Sequence, residues 1–315
     1  MRVVYFGSGA FAVPSLRWLV NSRHEVVLVV TQPDKPAGRG KKLMPTPVAE
    51  RAMEEGLPLE KVENVNDPSF IDQLKTFNAD IGVVAAFGQK VLEPVRLVFP
   101  SECINLHASL LPKYRGAAPI NAAILAGETK TGVTAFRLVD RMDAGPMLVK
   151  RETRIGVQEN AGALHDRLAG VACDALDATL QLYEQDPLPP GEPQDESEAT
   201  KAPKLKKSDG YIDFTTTAVH IERLTRAMSP WPGARCELVY GEGKRAAVTL
   251  QSVTAIPTPT DGKPGEVSPE LTVATGDGVI EIHGLQPAGK MPMSWQDFVN
   301  GRHVKPGDRF ESPVP

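Results

Sequence analysis

The chain reads as an α/β protein with a Rossmann-like N-terminal domain and a C-terminal open β-barrel of the OB-like kind. Three observations predict this. A β-rich run, Val3–Phe6, passes through Gly7-Ser8-Gly9 into a helical pattern. Helical and strand patterns then alternate as far as Leu182. Beyond a proline-rich stretch, short strand patterns separated by turn residues fill the remainder. Composition places the α/β domain at 1–186, a linker at 187–206 and the barrel at 207–315.

The elements follow in order. Ala10–Val20 suits a helix, and Val26–Val30 is a second buried strand. The glycines of the first turn invite a dinucleotide reading. However, the acidic residue wanted after the second strand comes late, at Asp34 behind Pro33, so a simple strand-to-helix turn is favoured. Gln32–Pro47 (QPDKPAGRGKKLMPTP) holds four prolines and the cations Lys35, Arg39, Lys41 and Lys42, and is expected to be an irregular loop. Cations on such a loop suit contact with a phosphate backbone, and a solvated surface loop is the plain alternative.

Val48–Glu55 and Asp67–Phe77 read as helices, the latter with Pro68 at an early position where its missing N–H costs little. Ile81–Ala86 is fully apolar, as a strand covered on both faces should be, and it ends at Phe87-Gly88-Gln89. Cys103–His107 is a further strand, followed by a helix over 118–126 and strands at Gly132–Val139 and Met147–Arg154. Leu164, Leu168, Val171, Ala175 and Leu182 form the stripe of a long helix. Prolines 187, 189, 190, 193 and 203 mark the linker, with Lys201, Lys204, Lys206 and Lys207 as a basic cluster in and just beyond it. A helix near Val219–Ala227 precedes strands near Ala234–Tyr240, Ala246–Ala255, Thr272–Thr275 and Val279–Leu285.

At 315 residues, 41% hydrophobic and 23% charged, the chain can bury a sizeable core. The net charge of −4 gives no global basic field, and 207–315 carries 11 Lys and Arg against 13 Asp and Glu. Any nucleic-acid contact must therefore rest on local patches. The three cysteines make neither a disulfide framework nor a zinc cluster, and no metal is expected. With no signal peptide and no spanning apolar run, a cytoplasmic protein without membrane attachment is expected.

The chemistry centres on Cys103–Pro119 (CINLHASLLPKYRGAAP). Asn105 and His107 are two apart on a strand, so both side chains face the same side at its C-terminal end, where open α/β sheets bind ligands. Alone, such a pair is as readily a set of satisfied turn residues. Asp140-Arg141-Met142-Asp143-Ala144-Gly145-Pro146 supplies a third member, a carboxylate that can orient the imidazole. The His107 imidazole can accept a proton, and the Asn105 amide can donate to an oxyanion. No Ser or Cys is placed to attack through His107. The set therefore suits direct transfer of an acyl-type group between two bound substrates.

Asn105–Pro112 with Arg115-Gly116, and Gly132-Val133-Thr134 running to Asp143–Pro146, resemble the folate-dependent formyltransferases. Thr31–Lys42, Trp231-Pro232, Leu285–Lys290, Met293-Ser294 and Asp297-Phe298 are similar to features of the methionyl-tRNA formyltransferase family within them. Ser8-Gly9 and Arg141 depart from that pattern. The resemblance implies formyl transfer from the co-substrate 10-formyltetrahydrofolate to the α-amine of initiator methionyl-tRNA, by a chain expected to be monomeric. It implies Asn105, His107 and Asp143 as catalytic residues, and Phe87 with Ser109, Leu110, Leu111 and Pro112 as the folate-binding set. Arg39, Lys41 and Lys42 would meet tRNA, helped by the barrel. A formyltransferase for a sugar-nucleotide or another small amine is the alternative, sharing the trio but lacking the basic loop and barrel. A non-enzymatic nucleotide-binding module on Gly7-Ser8-Gly9 would leave the trio without a purpose.

Overall fold

The structure, a computed structural model, describes residues 1–37 and 42–313. The chain divides into two compact units. The first comprises Met1–Pro119, Lys130–Arg154 and His165–Ala202, and the second Ile120–Thr129, Ile155–Leu164 and Pro203–Pro315.

The first unit runs β1 (Arg2–Gly7), α1 (Val13–Val20), β2 (Glu25–Thr31), β3 (Lys35–Ala37), β4 (Lys42–Met44), α2 (Pro47–Glu54), β5 (Leu59–Lys61), α3 (Pro68–Thr76), β6 (Ile81–Ala85), α4 (Glu93–Arg96), β7 (Cys103–His107) and β8 (Arg115–Gly116). After α5 (Pro119–Ala126), nearly all of which belongs to the second unit, come β9 (Lys130–Arg137), β10 (Met147–Arg154), α6 (Ala161–Gln185) and β11 (Lys201–Ala202). Among the described residues, seven strands form one sheet in the order β10-β9-β7-β6-β1-β2-β5. The five from β7 to β5 are parallel, whereas β9 and β10 are antiparallel additions at one edge. Strands covered on both faces need no polar side, so Val3 to Phe6 are all fully buried. Val4, Phe6, Val84, Phe87 and Phe99 share one core layer.

Helix starts follow their caps. Thr46 and Asp67 accept the amides of Ala49 and Ser69, with Pro47 and Pro68 at the first helical positions. The first turn is also legible. Ser8 and Gly9 donate their amides to the Ala86 carbonyl at 3.2 and 3.0 Å, so these donors hold β1 to the end of β6 rather than facing outward. A Cβ on Gly7 would meet Tyr5 Cε1 at 2.9 Å and Ala12 Cβ at 3.0 Å, so the residue is small for packing.

Two stretches differ from the sequence reading. Part of Gln32–Pro47 is regular: β3 and β4 pair as an antiparallel ribbon, with Pro36 opposite Leu43. A two-stranded ribbon leaves one side of each strand unpaired, so it tolerates a proline that an inner strand would not. Nor is all of 187–206 a free tether. Glu192 bridges Met147, and β11 pairs with β8, which holds the segment on the first unit. The short β5 and α4 were not anticipated, because three or four residues carry no readable period.

In the second unit α7 (Ala218–Ala227) precedes β12 (Ala234–Tyr240), β13 (Lys244–Ile256), β14 (Val273–Ala274), β15 (Val279–Pro287), β16 (Met293–Ser294), α8 (Trp295–Arg302) and β17 (Arg309–Glu311). The antiparallel order is β14-β15-β13-β12-β17, with β16 beside β15. Residues 265–267 join the two edges: Phe310 donates to the Gly265 carbonyl, while Gly265 donates to Ala274. That closes the sheet into a near-complete barrel, which removes exposed edges. Alternation along β12 turns Ala234, Cys236, Leu238 and Tyr240 inward. Phe310 packs between the rings of Phe214 and Trp295, each with centroids 5.8 Å away. Among the described residues, no helix is long and apolar enough to cross a membrane.

Candidate active site

The sheet register sets the site. Val84 lies beside Asn105 and Gly7 beside Ala85, so the C-terminal ends of β1, β6 and β7 lie side by side. Opposite them, β9 places Phe136 next to Asn105 and Thr134 next to His107. The His107 ring is edge-on to Phe136, with centroids 6.4 Å apart, and its side chain is 7% exposed. Asn105 is half-buried on the same face of the strand. Burial pushes the Cys103 thiol up, which keeps it protonated and out of the chemistry.

His107 is held from two sides. Its Nε2 lies 2.9 Å from the Tyr114 carbonyl oxygen. A carbonyl only accepts, so Nε2 carries a proton and Nδ1 is the basic nitrogen of the neutral ring. Nδ1 faces Asp143 Oδ2 at 3.8 Å. The Asp143 side chain is 12% exposed, and the same oxygen accepts the Gly116 amide at 2.8 Å.

The loop bearing Asp143 has a definite path. It leaves the sheet beside the start of β7, where Leu138 donates to the Cys103 carbonyl at 2.8 Å. Its carboxylate nonetheless reaches His107 at the end of β7, so the loop turns back along the strand. Two features impose that course. Arg137 donates to the Pro146 carbonyl at 3.0 Å, and a Cβ on Gly145 would run into the Arg137 carbonyl. Asp143 has φ 51°, while Tyr114 and Ala86 have φ 62° and 42°. Of these, Tyr114 and Asp143 hold the imidazole from its two nitrogens, which marks a site where geometry was kept at a cost in strain.

The stretch after β7 is a tight, internally bonded turn. Ser109 is fully buried, its hydroxyl donating to the Lys113 carbonyl at 2.7 Å. Thr134 Oγ1 donates to the Ser109 carbonyl at 2.7 Å and accepts the Leu111 amide at 3.1 Å. Leu111 and Pro112 are buried, joined by a cis peptide, and Leu110 is half-buried beside Gly132. Phe87 is 2% exposed and lies edge-on to Phe6, so its ring belongs to the core and offers a ligand no face. Its carbonyl accepts the Gln32 amide nitrogen at 2.9 Å. Lys42 is exposed on β4, and Arg39 and Lys41 lie outside the described residues. Among the described residues there is no group of three or more His, Cys, Asp or Glu able to hold a metal.

The structure thus brings His107 and Asp143 together with Asn105 two residues back. It adds groups that sequence reasoning did not single out: the Tyr114 carbonyl, the Gly116 amide and the Thr134 hydroxyl. The first two are backbone atoms, which composition does not mark. Thr134 lay within a motif that resembled the family, but its alternation on a strand gave it no role.

Residues 1–180 match the formyl transferase family and residues 204–303 match the formyl transferase C-terminal domain. The methionyl-tRNA formyltransferase of Methylococcus capsulatus is 43% identical over 98% of this chain and 99% of its own length. That of Jannaschia sp. is 42% identical over 99% and 100%. In structure the chain is similar to WlaRD, a sugar 3N-formyl transferase determined in the presence of dTDP and 5-N-formyl-THF. The TM-score is 0.63 at 16% identity, over 92% of this chain and 99% of that one. HypX of Aquifex aeolicus in complex with tetrahydrofolic acid gives 0.60 at 17% identity, over 95% of this chain and 47% of that one. These two likenesses carry the fold alone. The chain belongs to the formyl transferase family and, within it, to the methionyl-tRNA formyltransferases.

Proposed function

We propose that the chain transfers the formyl group of 10-formyltetrahydrofolate to the α-amine of initiator methionyl-tRNA. The observation that carries the reading is the arrangement at the end of β7. An imidazole with its basic Nδ1 turned toward a carboxylate 3.8 Å away shares a strand face with a half-buried amide, in a chain 43% identical end to end to a methionyl-tRNA formyltransferase.

The chemistry follows from the donors and acceptors. The neutral amine of the methionyl group attacks the formyl carbon, forming the new C–N bond and placing negative charge on the formyl oxygen. The Asn105 amide donates to that oxygen, a kind of contact worth about 10²–10³ in rate. The proton leaving the amine goes to His107 Nδ1, where the imidazolium faces Asp143. It then passes to N10 of the folate as the old C–N10 bond breaks, which returns the ring to its neutral form. General acid–base transfer of this kind contributes about 10²–10⁴.

The backbone of the Ser109–Pro112 turn and of Phe87 forms the folate side of the site, and Leu110 supplies its half-buried apolar contact. Arg39, Lys41 and Lys42, in the sequence after β2, meet the tRNA backbone, and the barrel of the second unit assists. The test is formyl transfer from 10-formyltetrahydrofolate to charged initiator tRNA, with charged elongator methionyl-tRNA and a dTDP-linked amino sugar as controls. Formylation of the initiator alone is expected. Transfer to the amino sugar in preference to the tRNA would overturn the reading.

A further inference from the structure

The stretch between α6 and β11 lies against both loops that hold the catalytic pair. Gln194 is half-buried there. Its Nε2 donates to the carbonyls of Asp143 and Gly145, both at 2.8 Å, and its Oε1 accepts the Arg115 Nε at 2.9 Å. Two residues on, Glu196 takes both terminal nitrogens of the buried Arg115, at 3.0 and 3.1 Å, and that of Arg141 at 2.6 Å. Arg115 follows Tyr114, whose carbonyl fixes the His107 ring, whereas Arg141 belongs to the loop of Asp143. The same stretch continues into Thr200, whose hydroxyl and carbonyl accept the amides of Tyr114 and Arg115.

One strap therefore ties the loop that sets the imidazole to the loop that sets the carboxylate. Asp143 needs such a tie. Its φ of 51° is unfavourable for a non-glycine residue, and a planar amide bonded to its carbonyl and to that of Gly145 fixes two peptides immediately C-terminal to it. The side-chain contacts of Asp143 Oδ2, with the Gly116 amide and facing the imidazole, do not themselves fix these main-chain peptides. The geometry points to Gln194 as a positioning residue for formyl transfer, acting through the Asp143 main chain to keep the carboxylate facing His107 Nδ1, with Glu196 holding the two loops in register.

This rests on the catalytic reading of Asp143 given above, and the experiment separates the two. Gln194→Met keeps the length of the side chain and removes its donors and acceptor. In the otherwise native full-length chain it should lower kcat for formylation of initiator methionyl-tRNA by about 10- to 100-fold, the cost of a misplacement near 1 Å. KM for both substrates should stay within about twofold of native. In an Asp143→Ala background the same substitution should change kcat by less than about twofold, because the group it positions is gone. Glu196→Gln, which weakens the grip on the two arginines without shortening the side chain, gives the same pattern at smaller size if Gln194→Met does not fold. Equal losses in both backgrounds, or raised KM and lowered Tm with kcat intact, would reduce Gln194 to a structural tie and overturn the inference. An Asp143→Ala enzyme with native kcat would instead remove the catalytic reading, and the inference with it.

Discussion

His107 Nδ1 and Asp143 Oδ2 face each other at 3.8 Å, too far for a hydrogen bond. The carboxylate oxygen is already engaged by the Gly116 amide at 2.8 Å, and the ring is pinned through Nε2 to Tyr114. The neutral ring thus keeps its lone pair free on the side where a proton would be stabilised. A closer, fully formed hydrogen bond would need a proton already on Nδ1, leaving that nitrogen unable to take one from the amine. The separation therefore leaves Nδ1 unblocked, as the proposed proton transfer requires.

Asp143→Asn distinguishes charge from shape. Asparagine still offers an oxygen to Gly116, so the loop should keep its course, but the charge facing Nδ1 is lost. We expect kcat to fall by about 10²-fold, nearly as far as in Asp143→Ala, with Tm within about 2 °C of native. Near-native turnover in Asp143→Asn would mean that the residue serves only to order the Gly116 turn.

His107→Ala removes the only basic nitrogen that this face of β7 presents. We expect kcat to drop by about 10²–10⁴-fold. Folate affinity, read by quenching of intrinsic fluorescence, should change by less than about threefold, because the ring is engaged with Tyr114, Phe136 and Asp143. Loss of folate binding in step with kcat would assign the ring to the ligand wall.

Much of this arrangement was readable from the chain. The alternation of Asn105 and His107 fixed a shared strand face, and the apolar run at Ile81–Ala85 fixed a buried neighbour. Gly7-Ser8-Gly9 placed the first turn and Pro68 the start of α3, because their backbone preferences act locally. What was not readable arises from pairing across long separations. Gln194 meets Asp143 from 51 residues away, and its surroundings, rich in proline and acid, have the composition of a tether. Phe87 shows the converse. It follows β6 at the C-terminal edge of the sheet, but its ring lies edge-on to Phe6 in the core, a direction that no local pattern reports. The β3–β4 ribbon was hidden for a similar reason, since proline reads as a breaker wherever the partner strand is not in view.

Thr134→Val tests the scaffold of the turn after β7. Valine matches threonine in shape but leaves the Leu111 amide and the Ser109 carbonyl unpaired in a buried setting. Unsatisfied groups of this kind cost about 1–3 kcal/mol each. We expect urea unfolding to show a loss in that range and KM for the folate to rise several-fold. The effect on kcat should be smaller. A variant of native stability would show that other groups satisfy these two atoms.

Arg39→Ala tests the basic loop. If its charge meets the tRNA backbone, kcat/KM for charged initiator tRNA should fall and its salt dependence should flatten, while folate KM stays unchanged. Unchanged kinetics across 50–200 mM salt would return the loop to a solvated surface.

Acid should release the strap before it unfolds the sheet. Hydrogen bonds from Arg115, and then the neighbouring Arg141, hold the Glu196 carboxyl below its ordinary value of 4.5, while Ser197 lowers Asp195. A carboxyl depressed in the folded state binds fewer protons there than in the detached state. Its stabilising contribution is complete above about pH 4.5 and is lost as pH falls through the lowered value. Both groups are exposed, so the effect is local and screened by salt. Hydrogen exchange, corrected for the intrinsic pH dependence of exchange, should report it at the Ser197 amide, bonded to Asp195, and at the amides of Tyr114 and Arg115, bonded to Thr200. Protection at these sites should decline below pH 4.5, while the amides of β1 and β6 stay protected. Glu196→Gln should show the reduced protection of Tyr114 and Arg115 already at pH 7. Protection that holds to pH 3 in the native protein would mean that Thr200 and the β8–β11 pairing secure the strap without the carboxylate.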